Sequence, residues 1–266
     1  MAYFVGVDIG SNTAKSVIID EDRNIIASRL IPSGINYRQA AENLREELLT
    51  QIENVGNIAF TVATGQGGGL VEYANERVTD LRCCARGINT ITPSARTIID
   101  VEDQSTQVMR ISQQGFVTNF VVSEKCAAGC GRFIHIMSNV LQVPLDEIGE
   151  LSLKSSNPIT FTTACAVFGE SEAVSRVSEG VPIEDILAGV HNALADKIAS
   201  LVGRVGLEEN CVMCGGGALN KGLVWWVEKK LGVKLLIPPQ PQLVTALGAA
   251  LIALALFNDH EDGLTI

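Results

Sequence analysis

The segment Asp8–Lys15 has the residue types of a phosphate-binding loop. It reads Asp8-Ile9-Gly10-Ser11-Asn12-Thr13-Ala14-Lys15 and lies between two short apolar runs. Gly10 allows close approach of the backbone to an anion, its polar neighbours offer donors, and Lys15 adds positive charge. Asp8 can hold Mg²⁺ through water, because magnesium prefers oxygen ligands and keeps part of its hydration shell. An ordinary hairpin turn has the same composition, so both interpretations stay open at this point.

A second glycine-rich segment lies near the other end of the chain. Gly215-Gly216-Gly217-Ala218 follows a predicted strand at Cys211–Cys214 and precedes a predicted helix. Backbone N–H groups at a helix start can bind the phosphates of a nucleotide. By itself this segment is weak evidence, because most glycine-rich turns are only turns.

Two of the seven cysteines stand just before predicted helices. They are Cys126, which opens Cys126-Ala127-Ala128-Gly129-Cys130, and Cys165. The positive end of a helix favours thiolate over thiol, and it would stabilise a thiolate-ligated iron–sulfur cluster. The alternative is a pair of small buried residues. Cys130 could share a helix face with Cys126 and is a third candidate ligand.

The number of well-placed thiols predicts a shared cluster. A cubane cluster generally needs four ligands, whereas one chain offers two good ones. A twofold-symmetric dimer that contributes two thiolates from each subunit would complete the set. Cys211 and Cys214 are poorer candidates, because in a strand they would point to opposite faces.

The elements that must position these residues repeat once along the chain. The order strand, Asp, turn, strand occurs near Asp8 and again near Asp100, which predicts two related α/β lobes. We expect an N-terminal lobe at 1–95 and a C-terminal lobe at 96–266, with the last helix a candidate to return to the first lobe. Strands are expected at Val5–Ile9, Ser16–Ile19, Ile25–Ile31, Ile58–Ala63, Thr97–Val101, Val108–Ile111, Phe116–Val122, Cys211–Cys214 and Val233–Ile237. Helices are expected at about 37–54, 127–142, 167–179 and 183–204. Another is expected between the Gly215–Gly217 turn and about Leu231, and a last one at the C-terminal end.

Composition and charge exclude several functions. The 266 residues are 47% hydrophobic and carry a net charge of -10, which argues for a globular core and against a nucleic-acid partner. The run Leu243–Phe257 has 15 residues, fewer than the ~20 that span a bilayer, so we expect a buried helix and no membrane partner. Seven cysteines without a basic leader predict a reducing, cytoplasmic location.

Taken together, the motifs resemble the ATP-dependent activators of 2-hydroxyacyl-CoA dehydratases and the related ATPase subunits of ATP-dependent benzoyl-CoA reductases. The resemblance covers nearly the whole chain in the family's order: GVDIGSNTAK, ATGQG, KCAAGCGRF, ACAVFGESE, AGVHNALADKI, VMCGGGALNKG and ALGAALIA. It implies an actin-like ATPase fold with two ribonuclease-H-like lobes around a nucleotide cleft. It also implies a homodimer with one [4Fe-4S] cluster between subunits, a ferredoxin or flavodoxin donor, and an iron–sulfur dehydratase or reductase-like acceptor.

The resemblance also implies a role for individual residues. The segment Ser11–Lys15 matches the first phosphate loop, Asp100 and Gln104 fall in the second, and Gly216 matches the nucleoside loop. The implied catalytic residues are Asp8, Asp100 and Gln104. The implied contacts to ATP and Mg²⁺ are Gly10, Ser11, Asn12, Thr13, Ala14, Lys15, Ala128, Gly129, Gly215, Gly216, Gly217 and Gln242. The implied cluster ligands are Cys126 and Cys165.

The chain departs from the family's pattern in two places, the second phosphate loop and Cys130. Where the family usually has D-I-G-G-Q-D, this chain has Asp100-Val101-Glu102-Asp103-Gln104-Ser105. The two added carboxylates are expected to weaken nucleotide binding unless Mg²⁺ or a turned-out geometry compensates. Cys130 stands where the family usually has Thr, which leaves the ligand count open. The alternative functions are a small-molecule kinase of the same fold and a hydrolysis-deficient regulatory subunit.

Overall fold

The structure, a computed structural model, describes residues 2–51, 58–123, 131–161 and 166–261. Internal contacts divide the chain into two compact units. Unit 1 comprises Met1–Ser94, Ile111–Val117 and Gln242–Ile266, and unit 2 comprises Ala95–Arg110 and Thr118–Pro241.

Unit 1 is built on a five-stranded sheet with the order β3-β2-β1-β4-β5. The first three strands form the predicted antiparallel meander, and β4 and β5 add in parallel. The strands are β1 (Tyr3–Ile9), β2 (Thr13–Ile19), β3 (Ile25–Pro32), β4 (Ile58–Thr64) and β5 (Glu76–Arg77), and the helices are α1 (Tyr37–Leu49), α2 (Asp80–Ile91) and α8 (Val244–Glu261).

Helices cover both faces of this sheet. On one face, α1 buries Ala41, Leu44 and Leu48 against Val5 and Val7. On the other face, α8 packs so closely that a Cβ on Gly6 of β1 would lie 2.0 Å from the carbonyl oxygen of Ala246. The apolar run Leu243–Phe257 thus lies almost entirely in α8, which confirms the prediction of a buried helix. Within the described part of the chain, no helix combines the length and apolar character needed to cross a bilayer.

Unit 2 is built on a four-stranded sheet with the order β8-β7-β6-β9. Strand β6 pairs antiparallel with β7 and parallel with β9. Helix α6 is the centre of the core, because Ile186, Val190, Leu194 and Ile198 all lie on its buried face. The strands are β6 (Thr97–Val101), β7 (Thr106–Ile111), β8 (Val117–Val122) and β9 (Cys211–Cys214), and the helices are α3 (Gly131–Leu141), α4 (Ile148–Ser152), α5 (Ala166–Ser178), α6 (Ile183–Val205) and α7 (Lys221–Leu231).

The strand predicted at Val233–Ile237 is wrong. Leu236 forms only an isolated bridge, donating to the Cys211 carbonyl at 2.9 Å and accepting from the Met213 N–H at 3.0 Å. The N–H of Leu235 points away from β9 and donates to the Glu228 carboxylate at 3.0 Å. The next residue that would face β9 is Pro238, which has no backbone N–H, so the pairing stops after one bridge.

Candidate functional site

The first phosphate loop, Asp8–Lys15, is a tight turn between β1 and β2. The Gly10 N–H donates to the Thr13 carbonyl at 3.0 Å. Ser33, just after β3, fixes the turn from outside: its hydroxyl donates to the Gly10 carbonyl at 2.7 Å and its N–H donates to the Asn12 carbonyl at 2.9 Å. Asn12 is exposed and Ser11 partly so, hence the polar groups at the tip of the turn are open to a ligand.

The two charged groups of this loop form a buried ion pair. Asp8 and Lys15 face each other across the β1–β2 ladder, and Lys15 Nζ lies 3.2 Å from Asp8 Oδ2. Their side chains are 6% and 1% exposed respectively. The positive charge of Lys15, expected from the sequence to face phosphate, is directed at the carboxylate and offsets its desolvation.

The turn after β4 holds Asp8 in place. Gly65 has a φ of 81°, and a Cβ there would lie 2.3 Å from Asp8 Oδ1 and 2.7 Å from the Ile9 carbonyl oxygen. The Gly67 N–H donates to that same carbonyl at 2.9 Å. Glycine at position 65 therefore satisfies a left-handed backbone and a contact with no room for a side chain. This support for Asp8 comes from residues absent from the predicted site.

The second phosphate loop, Asp100–Ser105, repeats this arrangement in unit 2. Asp100 is buried on β6 and faces Gln107 of β7, while the Glu102 N–H donates to the Ser105 carbonyl at 2.9 Å. Gln104, a predicted catalytic residue, is exposed at the tip of the turn.

The predicted nucleoside loop, Gly215–Gly217, packs against Asp100 in the way that the turn after β4 packs against Asp8. Gly215 has a φ of 77°, and a Cβ there would lie 2.5 Å from Asp100 Oδ1. A Cβ on Gly217 would lie 2.5 Å from Val101 Cγ1. Gly216 is partly exposed, as is Gln242. The geometry explains the glycines at 215 and 217 by packing and leaves Gly216 accessible.

The second loop makes a contact that sequence reasoning missed. The Gly131 and Arg132 N–H groups at the start of α3 donate to the carbonyls of Glu102 and Asp103, at 2.9 and 2.7 Å. The Asp103 side chain is 7% exposed, with its oxygens 4.0 Å from Arg132 Nη1 and 3.8 Å from His135 Nε2. Arg132 and His135 are three residues apart, which places both on one helix face, and this spacing was the available signal. Asp103 thus faces the Arg132 guanidinium and the His135 imidazole of α3.

The predicted cluster ligands Cys126 and Cys165 lie outside the described residues, as do Cys130, Ala128 and Gly129. The four cysteines that are described, Cys83, Cys84, Cys211 and Cys214, are all buried. Burial raises the pKa of the Cys83 thiol to about 12, with the charge of Asp8 adding to the shift, and burial raises that of Cys211 to about 12 as well. Such thiols stay protonated near neutral pH and are poor metal ligands.

Taken singly, each of the two loops has groups that suit a magnesium nucleotide. Asp8 and Asp100 each stand one residue before the end of a buried strand, and their carboxylate oxygens are the ligands that Mg²⁺ prefers. Next to each carboxylate, a turn with exposed polar groups offers donors to phosphate.

Comparison with known proteins identifies the family. The sequence profile of the BadF/BadG/BcrA/BcrD ATPase family matches residues 5–253. The chain belongs to this ATPase family. It is 39% identical over 254 residues to a 2-hydroxyisocaproyl-CoA dehydratase activator of Clostridioides difficile, covering 94% of both chains. It is 37% identical to the (R)-2-hydroxyglutaryl-CoA dehydratase activating ATPase of Acidaminococcus fermentans, covering 94% of this chain and 96% of the other.

Solved structures confirm the predicted fold class of this family member. The activator of the 2-hydroxyisocaproyl-CoA dehydratase from Clostridium difficile, solved with bound ADPNP, superposes with a TM-score of 0.92 at 37% identity and covers 99% of this chain and 98% of its own. A ROK family glucokinase from Streptomyces griseus superposes with a TM-score of 0.61 at 10% identity, covering 95% of this chain and 99% of its own. The latter likeness shows the fold alone: α/β, with the two ribonuclease-H-like lobes of actin-like ATPases and sugar kinases.

Proposed function

We propose that the chain is an ATP-dependent reductive activator that couples ATP hydrolysis to the transfer of one low-potential electron to a partner protein. The observation that carries this proposal is the 39% and 37% identity to two named dehydratase activators over 94% of the chain. The acceptor is an iron–sulfur dehydratase or reductase-like component, and the donor is a ferredoxin or flavodoxin.

The residues of the two loops have the chemistry that these roles need. Asp8 would hold Mg²⁺, which neutralises phosphate charge during hydrolysis, and Asp100 would be the catalytic carboxylate of the second loop. Donors from Ser11 to Thr13 would bind phosphate oxygens, and Gln104 would orient the attacking water from its exposed position. Gly216 and its neighbours would contact the nucleoside, and Gln242 is a further candidate contact.

Cys126 and Cys165 from each of two subunits would hold one [4Fe-4S] cluster, which stores the transferred electron. The high pKa of the Cys83 and Cys211 thiols supports this assignment by making those residues poor alternatives. A homodimer follows from the ligand count, since each subunit contributes two thiolates.

The test is iron content after anaerobic purification, measured with the oligomeric state. The parent should hold about four irons per dimer. Either Cys126→Ser or Cys165→Ser should lose the cluster, while Cys211→Ala, which changes a buried thiol of the core, should keep it. About four irons per monomer, or a cluster that survives loss of Cys165, would contradict the bridging arrangement.

ATP turnover without any added phosphate acceptor separates the activator from the alternatives. An activator hydrolyses ATP in that assay and contains iron. A kinase of the same fold would contain no iron and would need an acceptor, and a regulatory subunit would bind ATP without turnover.

A further inference from the structure

The start of α3 is capped by the second phosphate loop. The first N–H groups of a helix have no partner within the helix and must find one outside it. Here the Gly131 and Arg132 N–H groups donate to the carbonyls of Glu102 and Asp103. A Cβ on Gly131 would lie 3.1 Å from the Glu102 carbonyl oxygen, so glycine allows the helix start to approach the loop this closely.

The Asp103 side chain reinforces this contact by charge. A carboxylate near a helix N-terminus is stabilised by the helix dipole, and Arg132 adds a guanidinium and His135 an imidazole on the same side. Among the described residues, Asp103 Oδ1 has no hydrogen-bond partner although it is buried. The Asp103 carboxylate therefore acts on α3 by charge across 3.8 to 4.0 Å, beside the two backbone hydrogen bonds that join the loop to the helix start.

The first phosphate loop is anchored differently. Its Gly10 and Asn12 carbonyls accept from Ser33, which follows a strand of the same sheet. In the second loop, the Glu102 and Asp103 carbonyls accept from a helix instead. Ser123, just after β8, exchanges two hydrogen bonds with Thr106 at the end of the second loop, so both loops are tied to their sheets. The second loop differs because it also caps α3, so its displacement would move that cap.

We propose that Asp103 is a positioning residue that keeps the second phosphate loop docked on the start of α3, so that phosphate binding at Asp100–Ser105 is transmitted to α3. This inference rests on the proposed function, in which the loop binds ATP and Cys126 lies just before α3. It assigns the added carboxylate at 103 a role toward the helix rather than toward the nucleotide.

Hydrogen exchange measured by mass spectrometry tests the coupling in the full chain. Exchange of the α3 amides over residues 131–137 is compared with and without a non-hydrolysable ATP analogue and Mg²⁺. In the parent, the analogue should change their exchange rates about fivefold or more. In Asp103→Asn that change should fall below about twofold, measured at an analogue concentration that saturates the variant. Asp22→Asn, an exposed acid in the β2–β3 turn, is the matched control and should behave as the parent.

A second pair of variants tests the contact between the second loop and the start of α3 without changing Asp103. In Gly131→Ala, the added Cβ meets the Glu102 carbonyl oxygen at 3.1 Å, so the α3 amides should exchange faster even without nucleotide. The control is Gly203→Ala in α6, where a Cβ has no neighbour within 4 Å.

The outcomes separate this inference from the proposed function. Analogue binding with a full α3 response in Asp103→Asn would overturn the inference alone. So would unchanged α3 exchange in Gly131→Ala. A parent chain that binds no ATP analogue would overturn the proposed function and the inference with it.

Discussion

The two phosphate loops share one backbone design but differ in the side chains that complete it. In each loop a buried aspartate stands near the end of a strand, and a glycine with positive φ packs against its carboxylate. The N–H of the second residue after the aspartate donates to the carbonyl of the fifth. The aspartate faces Lys15 in the first loop and Gln107 in the second. The residue that closes the turn is Gly10 in the first and Glu102 in the second.

A comparison of equivalent positions shows which residues the fold of the hairpin requires and which can be left to ligand binding. Gly10 is not among the glycines with positive φ, and Glu102 forms the equivalent hydrogen bond, so the turn itself does not require glycine there. In contrast, Gly65 in unit 1 and Gly215 in unit 2 have positive φ values, of 81° and 77°. The features that both units share are therefore those that the fold of the loop needs. The charged side chains that only one loop has are where the two loops can differ in function.

The largest expected effect is on the buried ion pair of unit 1. Asp8→Asn leaves the buried Lys15 ammonium without its carboxylate, which should lower the free energy of unfolding by about 4 kcal/mol. Asp100→Asn, at the equivalent position of unit 2, is the comparison, because the residue that Asp100 faces across the ladder is Gln107 rather than a lysine. Urea unfolding measures both.

The double variant Asp8→Asn, Lys15→Gln sharpens this comparison. It removes both charges and gives the first loop the neutral partner that the second loop has. Most of the stability lost in Asp8→Asn should return, although ATP hydrolysis should not. Equal losses from Asp8→Asn and Asp100→Asn would show that the ion pair is not what distinguishes the loops.

The next effect should be the same in both units. Gly65→Ala and Gly215→Ala each combine a left-handed backbone with a Cβ at 2.3 or 2.5 Å from a carboxylate oxygen. Each should lower the free energy of unfolding by about 3 kcal/mol. Gly180→Ala is the matched control, since its φ is 80° but nothing lies within 4 Å of an added Cβ. It should cost about 1 kcal/mol, from backbone strain alone. A loss in Gly65→Ala no larger than in this control would remove the packing explanation.

Local patterns in the sequence predicted most elements but not the contacts that complete the loops. Helix α6 and the strand pairs around Asp8 and Asp100 follow from periodicity and turn residues, which act over a few positions. The strand at Val233–Ile237 was wrong because its pairing with β9 stops at Leu236, two residues before Pro238, which has no N–H to donate. Where a pairing stops depends on the neighbouring strand and leaves no periodic signal.

The candidate site shows the same division. Asp8 and Asp100 could be found from their positions at strand ends. The direction of Lys15 toward Asp8 and the docking of Asp103 on α3 could not, because each depends on how separate segments pack. The cluster assignment of Cys126 and Cys165 stays a prediction.

The interiors of the two units should respond differently to acid. Helix α8 of unit 1 packs with alanine and leucine, whereas α6 of unit 2 buries His191 completely. Burial lowers the pKa of His191 from 6.5 to about 3. Below pH 6.5 the unfolded chain therefore binds a proton that the folded chain does not, so stability falls as the pH falls. Between pH 7 and pH 5 this group should cost about 2 kcal/mol.

The pH dependence of unfolding in His191→Leu isolates this contribution. The difference in stability between parent and variant should shift by about 2 kcal/mol over that range, because the carboxylates titrate equally in both. A parent and His191→Leu with parallel pH profiles would mean that the imidazole is protonated without cost in the fold.

The smallest expected effect concerns the charges that distinguish the second loop. Glu102 and Asp103 both add negative charge where the first loop has Gly10 and Ser11, but Asp103 faces Arg132 and His135. Glu102→Gln should therefore tighten ATP binding about threefold at low Mg²⁺, and less at high Mg²⁺, because a divalent cation shields like charges from one another. Asp103→Asn should change the affinity less than twofold. Calorimetric titration at two Mg²⁺ concentrations measures both variants. Equal tightening in both would mean that the acids act by charge alone, and the orientation of Asp103 toward α3 would then have no bearing on the nucleotide.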